Sequence, residues 1–386
     1  MIVSDSLTLS AKKIKQQKLS DGFKVYDAGL GESPFPIDNN IINLLKKNIS
    51  DNKYTSIVQT DQLKGLVWGD KILTGNGLKE LIYCVQLGFS VTYDNYKIVY
   101  ITPVWVSYLE QAKILRLNYT TLEVEQDTLK VNLDKLEKIL SCDEKCLLIF
   151  NNPCNPTGLV YTNEEVKRLG EIIKKTDSLV LCDDIYQDII LKEDFGDLKK
   201  EIPEYCVSGS SLSKGLGCGG WRYGWLGFPK NLDVLYDNTR KVSVSMYSCP
   251  SAFFHSFTKE YLTLVKQNNI TYEDKINTIK KCSKEIVERL KSTNINIKET
   301  EGAWYTVLDF TNYKKQLEKK GINNSVDLTD SLASSINLIT VPLKGFGSDI
   351  LGVRYSLIDI NFNNQEPDFT NMLEGIDKLK EYLKKL

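Results

Sequence analysis

At 386 residues, with 49 basic against 50 acidic side chains, the chain is long enough for two domains and too nearly neutral for the basic excess that nucleic acid or an anionic membrane draws on. A single histidine, His255, excludes His-rich metal sites and leaves any Ser–His–Asp or Cys–His mechanism dependent on that one residue, whose aromatic setting in SAFFHSF favours a packed or capping role. Nine cysteines, an odd number with no C-x-x-C pair, fit reduced thiols in a cytoplasmic protein and speak against a thiolate metal site.

Residues 1–20 carry a short lysine-rich helical pattern with no secretion-signal core, and no apolar run in the chain approaches a membrane span. DAGLGESPFPID, from Asp27 to Asp38, reads as an extended loop because of its prolines and glycines. A helix is expected over 39–49. Ile72-Leu73 form a short strand that turns through Thr74-Gly75-Asn76-Gly77 into an apolar helix from Leu78 to Phe89. Free N–H groups at such a helix start suit an anion, although the turn is neither a P-loop nor G-x-G-x-x-G.

Buried strands are expected at Tyr96–Ile101, Cys146–Phe150, Ser178–Cys182, Tyr205–Gly209 and Trp225–Phe228. Trp105 and Tyr108 follow the first, the loop NNPCNPTG (Asn151–Gly158) the second, and Asp183-Asp184-Ile185-Tyr186 the third. The pattern is that of a mainly parallel sheet with helices on both faces and a ligand crevice along the strand ends. Helices are expected over 164–175 and about 255–292. A switch to alternation over Ile295–Phe310 suggests a second domain, and a late strand, Gly352–Leu357, carries Arg354, which calls for an anionic partner. A helix from Pro367 to Leu386 closes the chain.

The stretch Ser211–Pro229, SLSKGLGCGGWRYGWLGFP, sets Lys214 among glycines. A partly desolvated lysine is a usable nucleophile for Schiff-base chemistry, and Ser211 and Arg222 can both reach one phosphate. With N-N-P-x-N-P-T-G at 151–158, D-D-I-Y at 183–186 and S-L-S-K-x7-R-x-G at 211–224, the chain resembles the class I and II aminotransferases related to aspartate aminotransferase, which are fold-type-I pyridoxal-phosphate enzymes. The motifs stand in family order from about residue 27 to 360.

The resemblance implies an α/β fold with a large, mostly parallel sheet flanked by helices, over residues 45–290, and a smaller α+β domain from 1–44 and 291–386. It implies pyridoxal 5'-phosphate held by Lys214 as a Schiff base, with Asp183 against the pyridine nitrogen. Tyr186 and Asn155 would bond the ring oxygen, and Trp105 would stack on its face. The phosphate would sit at Gly77, Leu78 and Lys79 with Ser211, Ser213 and Arg222, joined by Tyr54 from a neighbouring subunit of a homodimer. Arg354 would grip the substrate α-carboxylate, with Gly31 and Asn155 beside it. Amino transfer between an L-amino acid and a 2-oxo acid is the implied reaction, and other chemistry on the same cofactor (a C–S lyase, decarboxylase or cyclase) is the alternative. The sequence departs from the family pattern at Gln59, Leu78 and Asp184, none of which removes a chemical group.

Overall fold

The computed structural model of the chain describes residues 7–363 and 366–386. Residues 1–6 of the N-terminal helical pattern lie outside the described residues, and the rest forms α1 (Leu7–Ser20). The helices of eight or more residues that follow are α2 (Asn39–Asn48), α3 (Leu78–Thr92), α4 (Val106–Leu115), α5 (Leu133–Leu140), α6 (Asn163–Lys175), α7 (Asp233–Tyr247), α8 (Phe253–Lys266), α9 (Glu273–Leu290), α10 (Ser325–Ile336) and α11 (Thr370–Leu383).

Seven strands build the large sheet: β1 (Lys71–Gly75), β2 (Tyr96–Thr102), β3 (Tyr119–Glu123), β4 (Lys145–Asn151), β5 (Leu179–Asp183), β6 (Cys206–Ser211) and β7 (Gly224–Phe228). Their spatial order is β1-β7-β6-β5-β4-β2-β3. β2, β3, β4, β5 and β6 pair in parallel, while β7 runs antiparallel to both neighbours. The link from β6 to β7 has no crossover helix, so the chain doubles back. It is therefore the start of β7, not its end, that faces the crevice.

The sheet is buried on both faces because its strands are apolar at consecutive positions. Leu147 and Leu181 join Leu81, Ile82, Val85 and Phe89 of α3 in one cluster. Their neighbours Leu148 and Val180 join Val166, Leu169 and Ile173 of α6 on the other side. α6 starts at a capping box, Thr162 with Glu165, and ends on Lys174 and Lys175, so its polar ends are satisfied locally.

A smaller antiparallel sheet, order β9-β10-β8, combines β8 (Tyr305–Asp309), β9 (Val341–Pro342) and β10 (Gly352–Ser356). Its core is shared with α9 and α11 through Ile279, Ile286, Ile376 and Leu379. The alternation expected over 295–310 is corrected here: only Tyr305–Asp309 is strand, and all five residues are buried. Just before it, Glu301 and Gly302 donate backbone N–H groups to the Gly158 carbonyl instead of to a neighbouring strand.

Candidate active site

Three parallel strands end side by side and deliver the polar residues. Asn151 closes β4 in register with Asp183, which closes β5 opposite Gly209, and Ser211 closes β6. Above these ends lies a cavity of about 540 Å³, lined by Gly31, Leu78, Lys79, Trp105, Asn155, Asp183, Tyr186, Ser211, Ser213, Lys214, Arg222 and Arg354, among others. Twelve of the residues singled out in the sequence are thus brought to one space. Gly77 sits at its edge as the residue before α3. Tyr54 is not among the lining residues and is 93% exposed.

Asp183 is 3% exposed. Its Oδ1 accepts from the Ile185 N–H at 3.1 Å and its Oδ2 from the Tyr108 hydroxyl. Burial pushes its carboxyl up to about 6; Asp184 adds to the rise, while Tyr108, Ile185 and Lys214 oppose it. The adjacent Asp184 holds an ion pair with Lys199 at 3.2 Å, whereas Asp183 has none among the described residues. A buried carboxylate without a matching cation fits a group that brings a positive charge, such as a protonated ring nitrogen.

Arg354 is the converse. It is 2% exposed on β10, with Nη1 donating to Asn155 Oδ1 at 3.1 Å and Nη2 to the Gly29 carbonyl at 2.6 Å. Its Nε is buried without a partner, and no carboxylate pairs with it among the described residues. The guanidinium lies 4.6 Å from the Tyr305 ring centroid. Burial lowers its pKa, while Tyr305, Tyr186 and Asp27 counter that effect. The open donor and unmatched charge fit a carboxylate ligand.

Lys214 is half-buried, lies 5.5 Å from the Tyr186 ring centroid and 5.4 Å from that of Trp304, and donates from Nζ to the Gly31 carbonyl. A Cβ on Gly31 would stand 2.5 Å from the Tyr305 hydroxyl, so only glycine lets this strip approach the site. Tyr305 also bonds the Tyr186 hydroxyl at 2.7 Å.

At the far end of the cavity, α3 begins at Gly77 with φ +91° and no side-chain cap, leaving its first N–H groups free. A Cβ there would meet Arg222 Nη2 at 2.4 Å. Arg222 is fixed over this turn by bonds to the Gly219 and Asn76 carbonyls at 2.7 and 3.0 Å. Lys79 reaches the same space, 4.9 Å from the Trp105 ring centroid; crowding by protein and the Arg222 and Lys214 charges lower its ammonium, although the residue as a whole is exposed. Uncapped N–H groups and converging cations make a cradle for a phosphate.

Tyr108, Tyr305 and Asn151 are site residues with no specific role assigned from the sequence, although Tyr108 follows the first buried strand and Asn151 opens the 151–158 motif. Asn151 donates to the Asp183 carbonyl at 2.9 Å and accepts the Asn155 N–H at 2.8 Å, so it fixes two expected residues at once. Leu9 and Lys12 of α1 also line the cavity. His255 lies elsewhere, buried between Tyr223 and Thr55, with burial lowering its pKa to about 4.

The family profile described as aminotransferase class I and II matches residues 55–357. The chain belongs to this family. As an aminotransferase it moves an amino group between an amino acid and a 2-oxo acid. It is 24% identical to the asparagine–oxo-acid transaminase of Streptococcus mutans, over 99% of this chain and 98% of that one. It is 25% identical to an aspartate aminotransferase of Bacillus subtilis, over 89% and 88%. The crystal structure of Thermotoga maritima aspartate aminotransferase superposes with a TM-score of 0.83 at 20% identity, covering 99% and 98% of the two chains. The aromatic aminotransferase of Pyrococcus horikoshii gives 0.81 at 19%, over 96% and 99%. These likenesses bear out the large, mostly parallel sheet accompanied by a smaller α+β region.

Proposed function

We propose that this aminotransferase works with pyridoxal 5'-phosphate bound in the cavity, Lys214 being the residue that holds it. The observation that carries this reading is the pair of unmatched buried charges, Asp183 and Arg354, on one cavity with Lys214. Asp183 would stand against the ring nitrogen, Trp105 on the ring face, and Tyr186 and Asn155 at the ring oxygen. The free N–H groups of Leu78 and Lys79, with Ser211, Ser213 and Arg222, would hold the phosphate. When bound, the cofactor supplies a carbon that exchanges amine for carbonyl and a ring that takes up the electron pair released at the substrate Cα.

The chain's own residues do the rest. Arg354 and Asn155 orient the substrate by its α-carboxylate, which fixes where the Cα–H bond points. Lys214 Nζ takes that proton as a base and gives one back as an acid. Ile185, Tyr186 and Tyr305 form an apolar and aromatic wall, with Leu30 and Gly31 beside it, that limits the water around that proton. We further propose a cytoplasmic homodimer in which the exposed Tyr54 reaches the phosphate of the neighbouring site; the nine free thiols support a reducing compartment.

The test is to load the protein with pyridoxal phosphate and add a mixed pool of amino acids without any oxo acid. One equivalent of oxo acid per site, with a single bleaching of the visible band, is the expected result. Continued release of ammonia or another product over many turnovers would overturn it.

A further inference from the structure

The loop that carries Lys214 is held from behind by a group that the reaction above does not use. Lys275, in the first turn of α9, donates from Nζ to the Gly215 carbonyl at 2.7 Å and reaches that of Leu216 at 3.4 Å. These are the two residues that follow Lys214. The same ammonium lies 5.7 Å from the ring centroid of Phe35, in the segment that begins at Gly31, and 5.7 Å from that of Tyr272. Asp188 presses on the loop from another side: a Cβ on Gly215 would lie 2.0 Å from its Oδ2. Burial lowers the Lys275 ammonium and pushes Asp188 up to about 6, and the two charges partly offset each other. Cys218, Lys199, Tyr261 and Tyr272 are the other titratable groups felt at this spot.

A half-buried lysine that bonds backbone carbonyls gives up part of its hydration, and a long apolar side chain would fill the space without that cost. The bonds it makes are to the backbone beside the nucleophile, and its contact with the Phe35 ring reaches the segment whose Gly31 carbonyl accepts from Lys214. We propose that Lys275 is a positioning residue for Lys214: it pins the Gly215–Leu216 backbone and ties it to the 31–35 segment, so that nucleophile and segment are set as one unit. This rests on the reading that Lys214 holds the cofactor.

The test compares the parent with Lys275→Met and Lys275→Arg. In the cofactor-free proteins, amide hydrogen exchange of residues 214–218 is expected to be about tenfold faster in Lys275→Met and near the parent rate in Lys275→Arg, which keeps the charge and the donors. In the proteins loaded with pyridoxal phosphate, the pH midpoint of the visible band is expected to move by about half a unit or more in Lys275→Met and to return in Lys275→Arg. Lys275→Leu, which likewise lacks charge and donors, carries the same comparison if Lys275→Met is insoluble. Exchange and midpoint that match the parent in the neutral variant, or an arginine variant that restores neither, would overturn the proposal while the parent's band upholds the cofactor reading. A parent that forms no band would overturn both.

Discussion

Asp183 and Arg354 each sit in the protein interior as a charge waiting for its opposite, and that is where substitutions speak most clearly. Burial pushes the Asp183 carboxyl up to about 6 in the fold, from 3.8 as its ordinary value. A raised acid pKa means that the folded state holds the proton more tightly, so the destabilisation is complete above about pH 6 and gone below about pH 4. Asp183→Asn keeps the shape and removes the charge. It is expected to raise the melting temperature of the cofactor-free protein at pH 8, by up to about 3 kcal/mol of stability, and to give no such gain at pH 4. In the loaded enzyme the same change is expected to cut turnover at least about 100-fold, because the ring loses the anion that keeps it protonated. Arg354→Lys replaces a fork by a point charge and is expected to raise KM for the amino acid roughly 10- to 100-fold while leaving cofactor affinity unchanged, as measured by spectral titration. Lys214 and Asp183 are legible in the sequence because each belongs to a short motif with local spacing. The roles of Tyr108 and Tyr305 are not, because they depend on contacts across 75 and 119 residues of chain, to Asp183 and Tyr186.

The turns between elements aim these side chains. Gly158 ends the 151–158 loop at φ +69°, and a Cβ there would lie 1.9 Å from the Tyr305 carbonyl oxygen. That approach lets the loop bearing Asn155 dock on the strand edge beside Arg354. Gly158→Ala is expected to lose at least about 3 kcal/mol of stability, read as a drop in the denaturation midpoint, through strain at the backbone and a clash that no rotamer relieves. The strands with apolar runs on both faces are readable as buried, and α2 and α6 as amphipathic. Edge strand β3 escapes such a reading because its side chains are half-exposed or exposed. Helix α7 escapes it because valines, serines and threonine spread through VLYDNTRKVSVSMY blur its apolar stripe. The reversed direction of β7 is not readable either, since strand patterning carries no sign.

Across the whole molecule, the site draws on segments far apart in the chain: the 27–38 stretch, the ends of the large sheet, and β10 of the small one. We propose that the large domain spans about 45–290 and that the small domain joins residues 1–44 to 291–386, with α9 packed on the core of the small domain. Charge and length alone bound the molecule to an ordinary two-domain protein, and only the juxtaposed motifs say more. Tyr54 is exposed in the single chain, and we propose that it reaches the cofactor site of a neighbouring subunit. Sedimentation is expected to show a species of twice 43.9 kDa, and Tyr54→Phe to keep that mass while weakening cofactor binding about tenfold. A monomer that binds the cofactor at full affinity would contradict this.

That Lys214 holds the cofactor is tested most directly by reducing the loaded protein with borohydride and mapping the adduct by peptide mass spectrometry. One adduct per chain, on the peptide containing Lys214 and absent from Lys214→Ala, is expected. An adduct spread over surface lysines, or lodged on another single residue, would contradict the assignment.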